Sequence, residues 1–455
     1  MIVLLPLPFQ SHINPMLRLG SILHANGFSI TVAHSEFNPP NPSSHPHFSF
    51  LPLPDAVDVT LLDHSPNSFF RFLSDLNTKC MPQLLHRLPQ LQNENNVACI
   101  IYDSMFYDAE ATANQLGIPS LVLRICSATF SLVQTKLPDL ISNGHLIIPT
   151  TQEDQDQIVP QLHPLRQSDL QILTNPDPKE ALQLYSQMSK ITTTRGIIFD
   201  TIDCLEQLSL EQLRGNYDVP IFTPGPFHKL AGPVSAAAGS MLWKENTDCL
   251  KWLDKQSPNS VLYVSIGSAI AIDVKEFVEM ANALADCDQP FLWVVRPGSV
   301  IGISDVNEHL PEKMKKLVAD ETGCMVEWCP QVELLSHMAV GGFLTQCGWN
   351  SILEGICEGV PMICRAGWED QVMAARYVCH EWGTGVELKG NSLLLPLKRG
   401  EIEKAIRKLM KSEEGKEMRK RAADLRSKVE IAIGEGGSSS TDLHALLDFI
   451  SSFTS

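Results

Sequence analysis

The stretch IVLLPLPFQSHINPMLRLGSILHANGFSITVAH, residues 2–34, decides the fold class. It begins with an apolar run typical of a buried strand and ends with a second such run, FSITVAH. Between them, apolar residues recur on one face of a predicted helix, with Asn14 as its cap, Pro15 as its first residue and Gly27 as its stop. A strand, a helix and a strand in this order predict a parallel sheet.

The same alternation continues through the first half of the chain. Further strands are predicted at VACIIY (97–102) and SLVLRIC (120–126), and helical patterns cover residues 67–92 and 105–116. Apolar strands that alternate with helices are typical of a sheet covered on both faces. Residues 137–195 are irregular, and we expect them to form walls of a binding site.

A second series of strands and helices follows residues 223–240, a Pro-, Gly-, Ala- and Ser-rich stretch that is the predicted interdomain linker. Helical patterns cover 399–433 and the last segment, STDLHALLDFISS (440–452). We therefore expect two doubly wound α/β domains that face each other across a cleft, with ligands beyond the carboxyl ends of the strands. The strands predicted in this half are SVLYVSIGS (260–268), PFLWVVRP (290–297), GCMVEW (323–328), VGGFLTQ (340–346) and VPMICR (360–365).

Composition and charge exclude several classes of protein. The chain has 455 residues, 44% hydrophobic and 19% charged, which fits two globular domains and not a disordered polymer. A formal net charge of −17 argues against nucleic-acid binding through a basic surface. The 12 cysteines include no CxxC pair, which predicts reduced thiols. Met1–Pro8 is too short for a secretory signal and no apolar run reaches about 18 residues, so we expect a cytoplasmic protein without a membrane span. The sequence does not indicate the oligomeric state, for which a monomer is the default expectation.

Two polar side chains follow strands of the first domain. His12 comes after the first strand, and Asp103 comes at the end of the VACIIYD strand. Each residue alone is typical of a helix cap. Because the carboxyl ends of parallel strands lie at one edge of a sheet, the two could also meet as an imidazole base and a carboxylate that orients it. Spacing alone leaves both interpretations open.

A turn in the second domain has the features of a phosphate site. The stretch FLTQCGWNSILEGICEGVP (343–361) predicts a strand that ends at Thr345, a short turn and a helix that opens near Trp349. The open N–H groups of that first helical turn, with the Ser351 hydroxyl, are suited to a pyrophosphate. IGSAIAID (266–273) offers a second Gly-Ser turn. An ordinary strand–turn–helix is the alternative, but two such turns favour a nucleotide.

From Trp328 to Gln371 the sequence is WCPQVELLSHMAVGGFLTQCGWNSILEGICEGVPMICRAGWEDQ, which resembles the signature motif of plant secondary-product UDP-glycosyltransferases, the family 1 glycosyltransferases. The FQSHINPM opening, the IYDS segment, the YVSIGS turn and the GGSSS ending are also similar to that family. The resemblance is to the branch that glucosylates terpenoids, flavonoids and other small hydroxylated metabolites. It implies the GT-B fold, with an acceptor-binding Rossmann-like domain over 1–235, a UDP-sugar-binding one over 241–435, and a last helix within 436–455 that returns to the first domain.

Carried over residue by residue, the resemblance implies a donor site for a UDP-sugar. Trp328 is expected to stack on the uracil and Cys329 to contact the uracil edge through its backbone, while Glu354 holds the ribose hydroxyls. Trp349, Asp370 and Gln371 are expected to contact the sugar hydroxyls, and the family associates a glutamine at the last position with glucose. The other implied donor residues are Gln331 in the nucleoside pocket and Ser268, Gln346, Gly348, Asn350 and Ser351 around the diphosphate.

The implied reaction is the inverting transfer of glucose from UDP-glucose to a hydroxyl group, a hexosyltransferase activity that gives a β-O-glucoside. His12 is the implied general base and Asp103 its orienting partner. No metal or other cofactor is expected, because the triplets Asp154–Asp156 and Asp286–Asp288 are typical of solvated surface. A small lipophilic acceptor is expected in an apolar pocket, for which the predicted lining is Phe9, Met105, Ile125 and Phe130.

Three positions depart from the family pattern. Gln346 replaces a histidine that contacts the diphosphate, and the loss of one charge-assisted contact is expected to cost about 1–3 kcal/mol. Ile125 replaces a threonine that reaches the sugar, and Ser11 replaces a glycine beside His12. Two alternatives therefore stay open: a protein that binds UDP-sugar or a lipophilic ligand with weak or lost turnover, and an enzyme that uses another donor such as UDP-xylose. A nicotinamide-dependent dehydrogenase lacks support, because no GxGxxG follows any predicted strand.

Overall fold

The chain divides into two compact units, unit 1 (Met1–Leu242 with Ile431–Ser455) and unit 2 (Trp243–Glu430). The predicted linker at 223–240 falls partly on residues 233–240, which lie outside the described residues. The computed structural model describes residues 1–58, 62, 68–144, 146, 152–174, 178–232, 243–268, 270–388 and 397–453.

Unit 1 contains a seven-stranded sheet in which all neighbouring strands run parallel, in the order β3-β2-β1-β4-β5-β6-β7. The strand order changes direction between β1 and β4, and the edge beyond their carboxyl ends is where such sheets bind ligands. The strands are β1 (Ile2–Leu5), β2 (Ile30–Ser35), β3 (Ser49–Leu53), β4 (Cys99–Asp103), β5 (Ser120–Arg124), β6 (Gly196–Phe199) and β7 (Ile221–Phe222).

One hydrophobic core of unit 1 joins apolar strand residues to the first and the last helix of the chain. Leu4 and Ile101 from the sheet are fully buried in it, as is Leu446 from the last helix. The helices of the unit are α1 (Gln10–Ala25), α2 (Ser68–Asn95), α3 (Ala109–Gln115), α4 (Ala128–Ser142), α5 (Gln152–Asp156), α6 (Lys179–Ser189), α7 (Asp203–Asn216), α8 (Phe227–Leu230) and, at the end of the chain, α17 (Ser438–Ser451).

The predicted start of α1 at Asn14–Pro15 is wrong. The helix begins at Gln10 after Phe9, whose extended backbone (φ −122°, ψ 142°) forms the N-cap, and Pro15 lies inside the helix. A proline there gives up one backbone hydrogen bond, which the helix tolerates because its apolar face is buried. The correction matters, because it places His12 in the first turn of α1.

Unit 2 has a six-stranded parallel sheet in the order β10-β9-β8-β11-β12-β13, and its order changes direction between β8 and β11. The strands are β8 (Val261–Ser265), β9 (Phe291–Val294), β10 (Gly323–Val326), β11 (Val340–Thr345), β12 (Met362–Cys364) and β13 (Gly385–Glu387). The helices are α9 (Asp248–Leu253), α10 (Val274–Asp286), α11 (Glu312–Ala319), α12 (Gln331–Ser336), α13 (Trp349–Cys357), α14 (Glu369–Arg376), α15 (Arg399–Lys411) and α16 (Glu413–Ile433), the last of which begins in unit 2 and ends in unit 1.

The structure confirms the predicted doubly wound α/β class but corrects several elements. The helical region at 399–433 is two helices, separated at Ser412, whose backbone is extended (φ −94°, ψ 163°). The irregular segment at 137–195 includes the end of α4 and all of α6. Part of the predicted linker is α8, with Phe227 fully buried. All twelve cysteines lie in the described residues, and among these residues no disulfide joins them. The strands that the sequence did not predict are β3, β6, β7 and β13.

Candidate active site

In unit 1, the topology brings an imidazole and a carboxylate together at the carboxyl edge of the sheet. His12 lies in the first turn of α1, directly after β1, and Asp103 is the last residue of the adjacent strand β4. The Nδ1 atom of His12 lies 2.7 Å from Oδ2 of Asp103. The Asp103 side chain is 1% exposed and that of His12 16% exposed. The carboxylate is therefore fixed in the protein, while the ring reaches the surface of the unit.

The Asp103 carboxylate is held at both oxygens. Its Oδ1 accepts a hydrogen bond of 2.9 Å from the backbone N–H of Met105, and Oδ2 contacts His12. When Nδ1 carries the proton and donates it to Oδ2, the lone pair of the imidazole is on Nε2. This geometry matches that of a general base oriented by a buried acid.

The four residues predicted to line an acceptor pocket all belong to unit 1. Phe9, Met105 and Ile125 are half-buried, and Phe130 is buried against Tyr185 with ring centroids 5.7 Å apart. Phe9 precedes α1 and Met105 follows β4, so both are neighbours in sequence of the His12–Asp103 pair.

Phe9 belongs to an aromatic cluster that sequence reasoning missed. Its ring centroid lies 6.1 Å from that of Phe37, 5.8 Å from Phe69 and 5.6 Å from Phe72. Phe69 and Phe72 are three residues apart on α2, and this spacing on one helical face was the available signal. Phe9, three residues before His12 in the chain, is therefore part of an apolar, aromatic cluster.

In unit 2, the predicted phosphate turn lies where the strand order changes direction. β11 ends at Thr345 and α13 begins at Trp349, as the sequence predicts. Cys347 has a positive φ of 66°, an uncommon conformation for a residue with a side chain, and Gly348 is the N-cap without a side-chain cap bond. The turn therefore presents the N–H groups at the start of α13 without a capping side chain at Gly348.

Two loops of unit 2 touch at this turn. A Cβ atom at Gly267 would lie 2.6 Å from Oε1 of Gln346, and the φ of 80° at Gly267 is a backbone conformation that favours glycine. Ser268 is the next residue and is half-buried. The Gln346 side chain is buried, and its Nε2 has no hydrogen-bond partner among the described residues. A buried donor without a partner is costly, and a phosphate oxygen is an acceptor that would satisfy it.

The residues predicted to hold the nucleoside form one hydrogen-bonded group. Gln331, at the start of α12, donates from Nε2 to Oγ of Ser351 (3.0 Å) and to Oε2 of Glu354 (2.8 Å). Its Oε1 accepts a bond of 2.8 Å from the hydroxyl of Tyr263. Tyr263 was not predicted as part of the site, because it points inward from β8 and looks like a core residue. Burial raises the pKa of this phenol well above its usual range, so it remains a donor.

The remaining donor residues flank this group. Trp328 is half-buried, and the backbone N–H of Asn246 donates to its carbonyl (2.9 Å). Cys329 is buried, with Sγ 3.5 Å from the Tyr263 hydroxyl oxygen. Trp349 is buried in the first turn of α13, and Asn350 beside it is half-buried.

The predicted sugar-binding pair lies at the start of α14. The Gln371 side chain is buried, and its Oε1 accepts bonds from the backbone N–H groups of Gly367 (3.1 Å) and Trp368 (3.2 Å). These bonds fix the amide and leave its NH₂ group as the end that can donate to a ligand. Asp370 is half-buried on the same turn, and Trp368 is exposed.

The two Asp-x-Asp triplets have other partners. Asp156 lies 3.5 Å from Arg166, and Asp286 pairs with Lys313 at 2.7 Å and with Arg399. In the described part of the chain, no group of three or more His, Cys, Asp or Glu side chains is arranged to hold a metal ion.

Comparison with known proteins places this chain in a family. The chain is 42% identical to UDP-glycosyltransferase 76E1 of Solanum lycopersicum over 100% of this chain and 93% of that protein. It is 38% identical to flavonol 3-O-glucosyltransferase UGT76E12 of Arabidopsis thaliana, over 99% of this chain and 96% of that protein. The structure of Phytolacca americana UGT2 complexed with UDP-2fluoro-glucose and pterostilbene superposes with a TM-score of 0.81 at 25% identity, covering 98% of both chains.

Two Rossmann-like units with this topology define a glycosyltransferase of the GT-B fold. The family model described as UDP-glucoronosyl and UDP-glucosyl transferase matches residues 77–426, and the chain belongs to that family. It is therefore a UDP-glycosyltransferase, and the resemblance drawn from the Trp328–Gln371 motif is confirmed. None of the helices in the described ranges combines the length and apolar content that crossing a membrane requires.

Proposed function

We propose that this enzyme transfers glucose from UDP-glucose to a hydroxyl group of a small lipophilic plant metabolite, such as a flavonoid, another phenol or a terpenoid alcohol. The product is a β-O-glucoside, formed with inversion at the anomeric carbon. The observation that carries the proposal is the 2.7 Å contact between His12 and the buried Asp103, and the aromatic cluster around Phe9 supports an apolar acceptor.

The proposed step needs only groups that the chain and the substrates supply. Nε2 of His12 takes the proton of the acceptor hydroxyl while the oxygen forms a bond to the anomeric carbon. The bond from that carbon to the UDP oxygen breaks, and UDP leaves from the opposite face, which converts an α-linked donor into a β-linked product. Asp103 stabilises the imidazolium that forms. The turn before α13 and the side chain of Gln346 donate hydrogen bonds to the diphosphate.

The proposal that the transferred sugar is glucose rests on two residues at the start of α14. Gln371 is fixed by two backbone bonds to its oxygen, which leaves its NH₂ group to bond a sugar hydroxyl, and Asp370 can accept from another. A relative that is 38% identical is named as a flavonol 3-O-glucosyltransferase, which supports both glucose and a phenolic acceptor. Ile125 follows β5, and its apolar side chain cannot bond a sugar hydroxyl. UDP-xylose, which lacks the C6 hydroxymethyl group, is therefore the alternative donor.

We propose that no metal takes part in the reaction and that helix N–H groups and polar side chains compensate the charge of the diphosphate. Activity measured with a chelator such as EDTA should equal activity measured with added Mg²⁺. A requirement for a divalent cation would contradict this part of the proposal.

The test of the proposed function is incubation of the purified protein with UDP-glucose and a panel of flavonols, simple phenols and terpenoid alcohols. UDP release, a new glucoside by mass spectrometry and a β-anomeric coupling in the proton NMR spectrum are expected. Parallel reactions with UDP-xylose decide the donor. Tight binding of UDP-glucose without release of UDP for any acceptor would favour a binding protein with lost turnover.

A further inference from the structure

A buried arginine outside the predicted donor set holds the loop that carries Ser268. Arg296 follows β9, and its guanidinium donates from Nε to the carbonyl of Gly267 (3.3 Å) and from Nη2 to that of Ile270 (2.6 Å). Its Nη1 donates to the carbonyl of Pro297 (3.3 Å). Arg296 is only 9% exposed. The side chain therefore joins the loop after β8 to the loop after β9.

The pairing of its charge distinguishes this arginine from the other strongly buried arginine of unit 2. Within the described ranges no carboxylate pairs with Arg296, whereas the other strongly buried arginine of unit 2, Arg365, has Glu276 at 2.6 Å. Burial lowers the pKa of the Arg296 guanidinium, yet arginine keeps its proton at physiological pH. A buried cation bonded only to carbonyl oxygens is costly unless an anion comes close to it.

The geometry of the peptide group shows where the loop's N–H groups point. The peptides that follow Gly267 and Ile270 are trans, and the C=O and N–H bonds of a trans peptide point in opposite directions. Because both carbonyls point to Arg296, the N–H groups of Ser268 and Ala271 point away from it. Two more backbone bonds hold the loop: Ile272 N–H donates to Ser299 (2.9 Å) and Ile301 N–H donates to Ile272 (2.9 Å).

The same loop lies next to the phosphate turn. Gly267 lies directly against the Gln346 side chain, whose buried Nε2 lacks a partner among the described residues. The Ser268 N–H, the Ser268 hydroxyl and the Gln346 amide are thus donors in one neighbourhood. Together they suit an anion of two or more oxygens.

We propose that Arg296 is a positioning residue for the donor diphosphate. By bonding two carbonyls of the β8 loop, it holds the Ser268 N–H and hydroxyl toward the diphosphate, and its uncompensated charge offsets part of the diphosphate charge. Arg296 does not touch the reacting atoms. This inference rests on the proposed function, because it assumes that the anion is the diphosphate of a UDP-sugar.

The test compares the affinities for UDP and for uridine, because uridine lacks the phosphates but keeps the groups that bind Trp328 and Gln331. Calorimetric titration should show that Arg296→Met weakens UDP binding about tenfold or more and leaves uridine binding within about twofold. Arg296→Lys keeps the charge but cannot bond both carbonyls, so a smaller loss of UDP affinity is expected. Arg419→Met is the matched control, since it removes a partly buried arginine that donates to the Gly341 carbonyl (2.9 Å), at the opposite end of β11.

The outcomes separate this inference from the proposed function. A wild-type protein that binds UDP no more tightly than uridine would overturn the phosphate site itself. Two results would show that Arg296 has no positioning role although the wild type prefers UDP. In one, Arg296→Met loses affinity for UDP and for uridine by the same factor; in the other, it loses affinity for neither. If Arg296→Met does not fold by its thermal melting curve, Arg296→Lys decides: unchanged UDP affinity overturns the inference.

Discussion

Gln346 shows how one side chain can tune the donor site. Its oxygen lies against Gly267, and its NH₂ group is buried without a described partner. A neutral amide can donate to a phosphate oxygen, but unlike an imidazolium it adds no positive charge as UDP leaves. We therefore expect this residue to support binding of the diphosphate more than departure of the leaving group.

Substitutions at Gln346 test this role. Gln346→Leu removes the donor, and we expect UDP to bind about tenfold more weakly in calorimetric titration. Gln346→His should bind UDP about as tightly as the wild type does. Its kcat should exceed that of the wild type by up to about tenfold, because a protonated imidazole stabilises the charge on departing UDP. UDP affinity unchanged in Gln346→Leu would show that this side chain does not face the diphosphate.

Among single residues, the sequence predicted best those whose location follows from the order of the strands. His12 and Asp103 follow neighbouring parallel strands, so their proximity required only the strand order. Tyr263 and Phe37 were missed because a tyrosine inside an apolar strand and a phenylalanine after one are both typical of core residues. Their role depends on side-chain direction, which hydrophobic spacing does not give.

At the scale of the element, α4 depends on a carboxylate from another helix. Glu206 of α7 is buried and accepts bonds from the N–H groups of Ala128 (2.9 Å) and Thr129 (3.0 Å), in the first turn of α4. It also accepts from the hydroxyl of Thr201 (2.8 Å). Burial raises the pKa of Glu206, while these donors oppose that shift. This contact fixes the start of the helix that carries Phe130.

We expect Glu206→Ala to lower the free energy of unfolding by about 3 kcal/mol, because it leaves buried N–H groups of α4 without an acceptor. Urea unfolding followed by circular dichroism measures this. The control is Glu211→Ala, an exposed carboxylate on the same helix, which should change stability by less than about 0.5 kcal/mol. Equal effects of the two substitutions would contradict the capping role.

Element boundaries were the least predictable feature of the fold. The Asn-Pro pair suggested a helix start at Asn14, but burial of the apolar face carries α1 back to Gln10. β7 has two residues and β13 three, too few for an alternating pattern. Long apolar strands such as β4 and β11 were predicted because burial on both faces makes their composition distinctive.

At the scale of the whole molecule, His228 makes the free energy of unfolding depend on pH. It lies in α8, buried, and its Nε2 has no partner in the described part of the chain. Burial lowers the pKa of His228 well below 6.5, and the nearby charges of Arg18 and Lys229 lower it further. The folded state therefore holds this imidazole neutral, while the unfolded chain binds a proton near pH 6.5.

The stability contributed by neutral His228 is present above pH 6.5 and is lost as the pH falls below it, since the unfolded state then binds the extra proton. We expect the unfolding free energy to fall by about 1.4 kcal/mol per pH unit more in the wild type than in His228→Gln. Urea titrations between pH 7 and 5 measure the difference. The control, His444→Gln at an exposed site, should follow the wild type; identical slopes for His228→Gln and wild type would refute the link.

The most direct test of the account is the dependence of the rate on the acidity of the acceptor. The wild type and His12→Ala are compared on an unsubstituted phenol and on a nitrophenol that is largely ionised at the assay pH, with UDP affinity measured for both proteins. We predict that His12→Ala binds UDP normally, loses about a thousandfold or more in kcat/KM on the phenol, and recovers much of that loss on the nitrophenol, which needs no base. An equal loss on both acceptors would contradict a general base at His12.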